Sequence, residues 1–247
     1  MLILLPPSEG KASHGDGPAL ELPRLSFPAL TPAREDVLEA LGALCERDSA
    51  AEVLGLSPGT AAEIGRNLHL RTAPTLAAAD LYTGVLYDNL GLASLSPEAA
   101  GRASESLLIF SGLWGVLRIG DRVPPYRLSM GVRLPPLGGL GAFWRPRITP
   151  LLDAEPGLVV DLRSSTYVTA WRPGARAVAV RVLRHGKVVS HMAKATRGVI
   201  ARSLLEGDVD PQSPQELAKV LDHLGHSVAL GAAPAGGRSS WTLDVMV

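Results

Sequence analysis

Residues 107–131 read LLIFSGLWGVLRIGDRVPPYRLSMG, and the fold class turns on how the first nine positions are taken. LLIF (107–110) is a short apolar run of strand type. SGLWG (111–115) then reads as the turn at its C-terminal end, where Gly112 and Gly115 permit positive φ or a close backbone approach. Loops at such strand ends are where α/β proteins place their binding groups. Arg118, Asp121, Tyr126 and Arg127 follow on a path that Pro124 and Pro125 make extended and stiff. Trp114 and Tyr126 as plain core rings, with Arg118 and Arg127 bridging carboxylates, is the ordinary alternative for any one of these groups. Several of them on one loop favour a site that includes Ser111, Gly112, Arg118, Tyr126 and Arg127.

Working outward, the elements alternate without an internal repeat. LILL (2–5) is a buried strand stopped by Pro6 and Pro7, and a Gly-rich loop carries Lys11. The segment from about Thr31 to Arg71 reads as helical, with Thr31 as cap, Pro32 at the first position, and Val37, Leu38, Leu41 and Leu44 at helical spacing. Residues 76–90 read as one helix, and 96–107 as another capped by Ser96. Strands are expected at 157–163, 175–184 and 187–192, the last two joined by a tight turn at His185-Gly186. A helix over about 193–205, one over 213–224 capped by Ser213, and a final strand in SWTLDVMV complete the chain. GGLGAF (138–143) follows Pro135 and Pro136, not a strand, and reads as a loop. With no linker in sight, the expectation is a single domain over residues 1–247, α/β or α+β, with a mixed sheet flanked by helices.

At 247 residues the chain can bury a full core without staples. Its one cysteine, Cys45, cannot pair within the chain and lies on the apolar side of its helix, a small hydrophobe in all but name. The opening MLILLPPSEGK lacks a basic n-region, and no run approaches the ~20 apolar residues of a membrane helix, so a cytoplasmic protein with no membrane partner is expected. The zero net charge conceals a segregation: net −7 over residues 1–100, +11 over 101–205 and −4 over 206–247. From Arg163 to Arg202 there are nine Lys/Arg and no Asp or Glu. Such a block needs an anionic counterpart, either a phosphate-bearing ligand or the protein's own acidic segments.

Several chemistries find no motif. Walker GxxxxGK, strand-following GxGxxG, GxSxG, CxxC and HExxH are all missing, and no cofactor is implied. HLGH (223–226) spaces two His three apart, but Gly225 should end that helix without a third ligand nearby, so no metal site is expected. No stable protein partner is evident.

The block SGLWGVLRIGD…PPYRLSMG resembles the SGLYGVLRPLD…QPYRLEMG signature of the YaaA family, the bacterial peroxide stress proteins. MLILLPPSEGK, LYTGVLY, AFWRPRIT, VVDLRSSTYVTAW and HMAKATRGVIAR are similar to five further family blocks in the same order. PPSEGK stands where many members have SPAKT, so Lys11 meets the family lysine only across a short gap. RSST replaces ASDE, and KATRG keeps one of two paired lysines. The resemblance implies a compact α/β domain with a positively charged cleft, DNA binding, and limitation of iron-dependent peroxide damage. It also implies a helix-hairpin-helix element, for which AAEVLGLSPGTAAEIGRNL (50–68) is the candidate carrier, its Gly59 and Thr60 amides at a helix start where a phosphate could bind.

A nucleotide or nucleobase enzyme using the same pocket is the rival expectation. Lys194 and Arg197 lie three apart at the start of a helix, on one face near its positive end, and Gly198 permits a close approach. With Lys11, Arg118, Arg127, the hydroxyls of Tyr82, Thr83, Ser164 and Ser165, and ring faces for stacking, they would cradle a phosphate or nucleotide. Acid/base candidates are Asp121, Asp161 and Tyr167, among which the sequence does not choose.

Overall fold

The computed structural model describes residues 1–184, 186–188, 191–233 and 239–247. The apolar runs form the strands of one eight-stranded mixed sheet: β1 (Leu2–Leu5), β2 (Leu107–Ser111), β3 (Gly115–Leu117), β4 (Val159–Asp161), β5 (Ala177–Arg184), β6 (Lys187–Val188), β7 (Val228–Leu230) and β8 (Trp241–Met246). The order is β7-β8-β5-β4-β1-β2-β3, with β6 hanging on the end of β5. Pairings β2-β1, β1-β4, β4-β5 and β5-β8 are parallel, while β2-β3, β5-β6 and β7-β8 are antiparallel. The central strands are buried on both faces, which is why they read as continuous apolar runs and not as alternation.

Six longer helices cover the sheet: α1 (Thr31–Cys45), α2 (Val85–Leu90), α3 (Pro97–Ser106), α4 (Leu140–Asp153), α5 (His191–Glu206) and α6 (Pro214–His223). Ser96 and Ser213 cap α3 and α6 through the N–H groups of Ala99 and Glu216, as expected. Thr31 does not cap α1. The preceding turn carries Leu30 into the cap position, and the Thr31 hydroxyl is buried without a partner.

Tertiary packing redraws other boundaries. Residues 76–90 are not one helix. Leu76–Ala77 pairs with Arg122–Val123, Ala78–Leu81 makes one turn, and the chain breaks at Tyr82–Gly84 before α2. The break pairs with the Lys11 loop: Lys11 bridges Tyr82, and the Thr83 amide donates to Gly10. GGLGAF is no loop either, because Gly138–Gly139 pairs with Arg133–Leu134 and α4 starts at Leu140. Phe143, Trp144, Ile148 and Leu152 form its buried stripe, and that burial outweighs Pro146 and Pro150 inside the helix. A helix-hairpin-helix over 50–68 is not confirmed: a five-residue helix (Ala50–Leu54) leads into a 3-10 segment (Pro58–Glu63) and a four-residue helix (Ile64–Asn67). Arg184 and Leu183 pair antiparallel with Lys187 and Val188 around the expected turn; its His185 lies outside the described residues.

Chain order across the sheet positions the site. From β1 the chain moves to β2 on one side, then returns to β4 on the other, so a crevice opens over the carboxyl end of β1.

Candidate anion-binding cavity

The crevice holds a cavity of about 1220 Å³, walled by the loop after β1 (Pro6–Lys11), Glu52–Gly55, Thr83–Tyr87, Arg127–Ser129, Gly131–Arg133, Ser164 with Thr166 and Tyr167, and the start of α5; Ser165 does not line it. Of the residues singled out from sequence, Lys11, Thr83, Arg127, Ser164, Tyr167, Lys194 and Arg197 line it. They come from five stretches of chain far apart in sequence.

Each cation is placed differently. Lys11 is fixed by backbone pairing on both sides, its own bridge to Tyr82 and the Ala12 amide donating to Leu81. Its Nζ donates to the Ser8 carbonyl at 2.9 Å and stands 4.6 Å from the Tyr126 ring centroid and 5.7 Å from that of Tyr82. Burial, then the nearby Arg127 charge, pulls its pKa down to about 8. Arg127 is set by its own backbone. Asn67, itself buried, donates to the Arg127 carbonyl and accepts from its N–H, both at 2.9 Å. The Arg127 guanidinium then reaches the Glu9 carbonyl at 3.4 Å and Glu63 at 3.5 Å. Lys194 and Arg197 project from the first turns of α5. Burial lowers the pKa of Arg197, with distant Asp161 partly opposing, and its Nε is buried without a hydrogen-bond partner. Among the described residues, Lys11, Lys194 and Arg197 have no ion-pair partner; Arg127 has Glu63. Tyr167 supplies a hydroxyl on the wall next to Ser129 and the Met130 backbone. Burial raises its pKa, so it stays protonated across the physiological range.

The remaining sequence candidates sit elsewhere. Tyr82, Tyr126 and Ser111 are buried beneath the floor as a hydroxyl chain: Tyr82 to Tyr126 at 2.9 Å, Tyr126 to Ser111 at 2.7 Å. Ser111 Oγ also accepts from the Leu113 and Trp114 amides, so it ties the GLWG turn. Gly112 and Gly115 permit close packing within the fold. A Cβ on Gly112 would meet the Leu128–Met130 backbone at 2.8–2.9 Å, and one on Gly115 the Trp144 ring at 2.8 Å. Arg118 turns away, donating to the Ser104 and Glu105 carbonyls over the Phe27 ring. Asp121, 6% exposed, accepts from the Ser26 amide and hydroxyl and from the Arg118 amide. Asp161 grips Arg163 through two contacts, Nε–Oδ1 at 2.8 Å and Nη2–Oδ2 at 2.6 Å. Gly198 gives room to a helix, not a ligand: a Cβ there would fall 2.2 Å from the Leu86 carbonyl oxygen of α2.

The basic block is thereby divided. Arg163, Arg181 and Arg202 pair with Asp161, Asp244 and Glu206, while Arg176 and Arg202 also donate to backbone carbonyls at and just after the C-terminal ends of α4 and α2. Of the rest of the block, Lys194 and Arg197 face the cavity. Sequence reasoning missed Asn67, Glu63 and Ser129, since a lone Asn or Glu in a helix of one or two turns, or a lone Ser on a loop, carries no periodic or motif signal. No described helix is long and apolar enough to cross a membrane, and no group of three or more potential metal ligands comes together among the described residues. Cys45 is buried, and burial raises its thiol pKa, as befits a packing residue.

The family model described as peroxide stress protein YaaA matches residues 1–229. A UPF0246 protein of Streptomyces coelicolor is 52% identical over 257 residues, covering all of this chain and 98% of its own. UPF0246 proteins of Corynebacterium efficiens and Corynebacterium glutamicum are 44% and 42% identical, covering 99% and 91% of this chain and 100% and 93% of theirs.

Proposed function

The chain belongs to the peroxide stress protein YaaA family, and from that premise we propose that it acts in the peroxide response by holding a phosphate-bearing ligand in the cavity over β1. The ligand is a nucleotide, free or as the unpaired end of a DNA strand. One observation carries this: Lys11, Arg127, Lys194 and Arg197 face one concavity, and among the described residues three of the four lack a carboxylate partner. Charged donors in a partly dry site favour an anion with several acceptor oxygens. The volume suits a nucleotide-sized guest, whereas a duplex is held by cations spread along an open face. Peroxide protection, including restraint of iron-dependent damage, would then follow from what the cavity binds.

Anisotropy titration of labelled adenosine monophosphate, a single-stranded oligonucleotide and a duplex tests the reading. The nucleotide and the single strand should compete for one site, the duplex should bind at least about tenfold more weakly, and affinity should fall as salt is raised. Duplex binding that the nucleotide cannot displace would assign DNA recognition to another surface.

A further inference from the structure

We propose that Lys11 is a nucleophilic amine that forms an imine with a carbonyl compound whose phosphate or carboxylate is held by Arg127, Lys194 and Arg197. The inference rests on the anion reading of the cavity and adds the substrate class.

The geometry is that of a prepared amine. Lys11 lines the cavity, its backbone is locked to Tyr82, and among the described residues its Nζ donates to the Ser8 carbonyl alone. A buried ammonium is ordinarily matched by a carboxylate, because an unpaired one is costly to desolvate. Among the described residues Lys11 has no ion-pair partner; two tyrosine rings and the Arg127 guanidinium stand beside it, and the carboxylates of Glu63 and Glu9 act on it only weakly, without pairing. The ring faces favour the ammonium, but burial and Arg127 disfavour it more. Roughly a tenth of the amine is then neutral at pH 7, against less than about a thousandth for an ordinary lysine. Desolvation beside another cation is a known way of activating a lysine for imine formation. The same cations that suppress the proton would anchor the anionic end of the substrate.

The step balances without a co-reactant. The neutral amine's lone pair attacks the carbonyl carbon, the C–N bond forms, and the C=O π pair moves to oxygen, which takes a proton. The carbinolamine then expels its oxygen as water as the C=N bond forms, and one proton remains on the iminium nitrogen. Tyr167, kept protonated on the same cavity, is the candidate proton donor to the departing oxygen.

Pyridoxal 5′-phosphate, an aldehyde bearing a phosphate, serves as probe, and pyridoxal as its phosphate-free control. The full-length protein is incubated with each, reduced with borohydride and peptide-mapped by mass spectrometry. The expected result is one adduct, on Lys11, formed at least about tenfold faster with the phosphorylated probe. It should disappear in Lys11→Arg, whose folding circular dichroism verifies, and persist in Lys219→Arg. Reversible binding of the phosphorylated probe with no adduct on Lys11 overturns the imine and leaves the anion reading standing. Equal labelling of Lys11 by both probes upholds the imine and overturns the anion reading. Labelling spread over Lys187, Lys194 and Lys219 overturns the assignment to Lys11.

Discussion

The side-chain amide of Asn67 closes two 2.9 Å hydrogen bonds on the backbone of Arg127, sixty residues away, one through Oδ1 and one through Nδ2. The segment that resembles a DNA-binding hairpin in sequence thus ends as the brace of a cavity arginine. Asn67→Ala leaves a buried N–H and carbonyl unpaired, which should cost about 2 kcal/mol of stability and weaken nucleotide binding severalfold. Urea unfolding and calorimetric titration read the two effects; full affinity in a destabilised variant would show that the brace does not set Arg127.

Arg118 should prove irrelevant to binding. Its guanidinium is engaged by the Ser104 and Glu105 carbonyls and the Phe27 ring, outside the cavity. Arg118→Ala is expected to lose up to about 1 kcal/mol of stability and to keep nucleotide affinity within about twofold. A tenfold loss of affinity would place Arg118 at the ligand.

Gly198→Ala tests the helix packing that aims Lys194 and Arg197. The new Cβ would lie 2.2 Å from the Leu86 carbonyl oxygen and 2.9 Å from Asn89 Cβ, so α5 must move off α2. A loss of about 3 kcal/mol in urea unfolding is expected. A neutral substitution would mean that the two helices are free to separate.

Lys11 should make stability depend on pH. It releases its proton near pH 8 in the fold and near 10.5 in the unfolded chain, with Arg127 lowering the folded value and Glu63 and Glu9 opposing. Below 8 both states carry the charge and the fold bears its full burial penalty. Between 8 and 10.5 the unfolded chain binds the extra proton, so this group's contribution to stability rises with pH. Lys11→Met should therefore gain about 2 kcal/mol near pH 7 and converge on the parent above about pH 11. A constant difference across that range would contradict the depressed value.

The strands were legible because central parallel strands are apolar on both faces, and LLIF, LILL and VVD show it in three or four residues. The cavity cations Lys11, Arg127, Lys194 and Arg197 were legible too, since each follows a strand or opens a helix after one. What sequence could not resolve was choice among equivalent charges. Arg118 and Arg127 flank the same prolines, yet one meets α3 carbonyls and the other Asn67, a matter of tertiary partners alone. Asp161 and Asp121 were equal candidates for acid/base work until Arg163 and Ser26 were found against them. The tyrosines at 82 and 126 proved to be floor and not wall, because their hydroxyls satisfy each other. The α4 prolines hid a helix whose buried stripe of aromatics is stronger than the break they encode.

The central claim is that Arg127, Lys194 and Arg197 gather around one anionic guest. Calorimetric titration of adenosine monophosphate into the parent protein and into Arg127→Ala, Lys194→Ala and Arg197→Ala tests it most directly, with circular dichroism to verify folding. One site per chain in the parent, weakened at least about tenfold in Arg127→Ala and Arg197→Ala and severalfold in exposed Lys194→Ala, is the predicted result. Unchanged affinity in all three folded variants would contradict it.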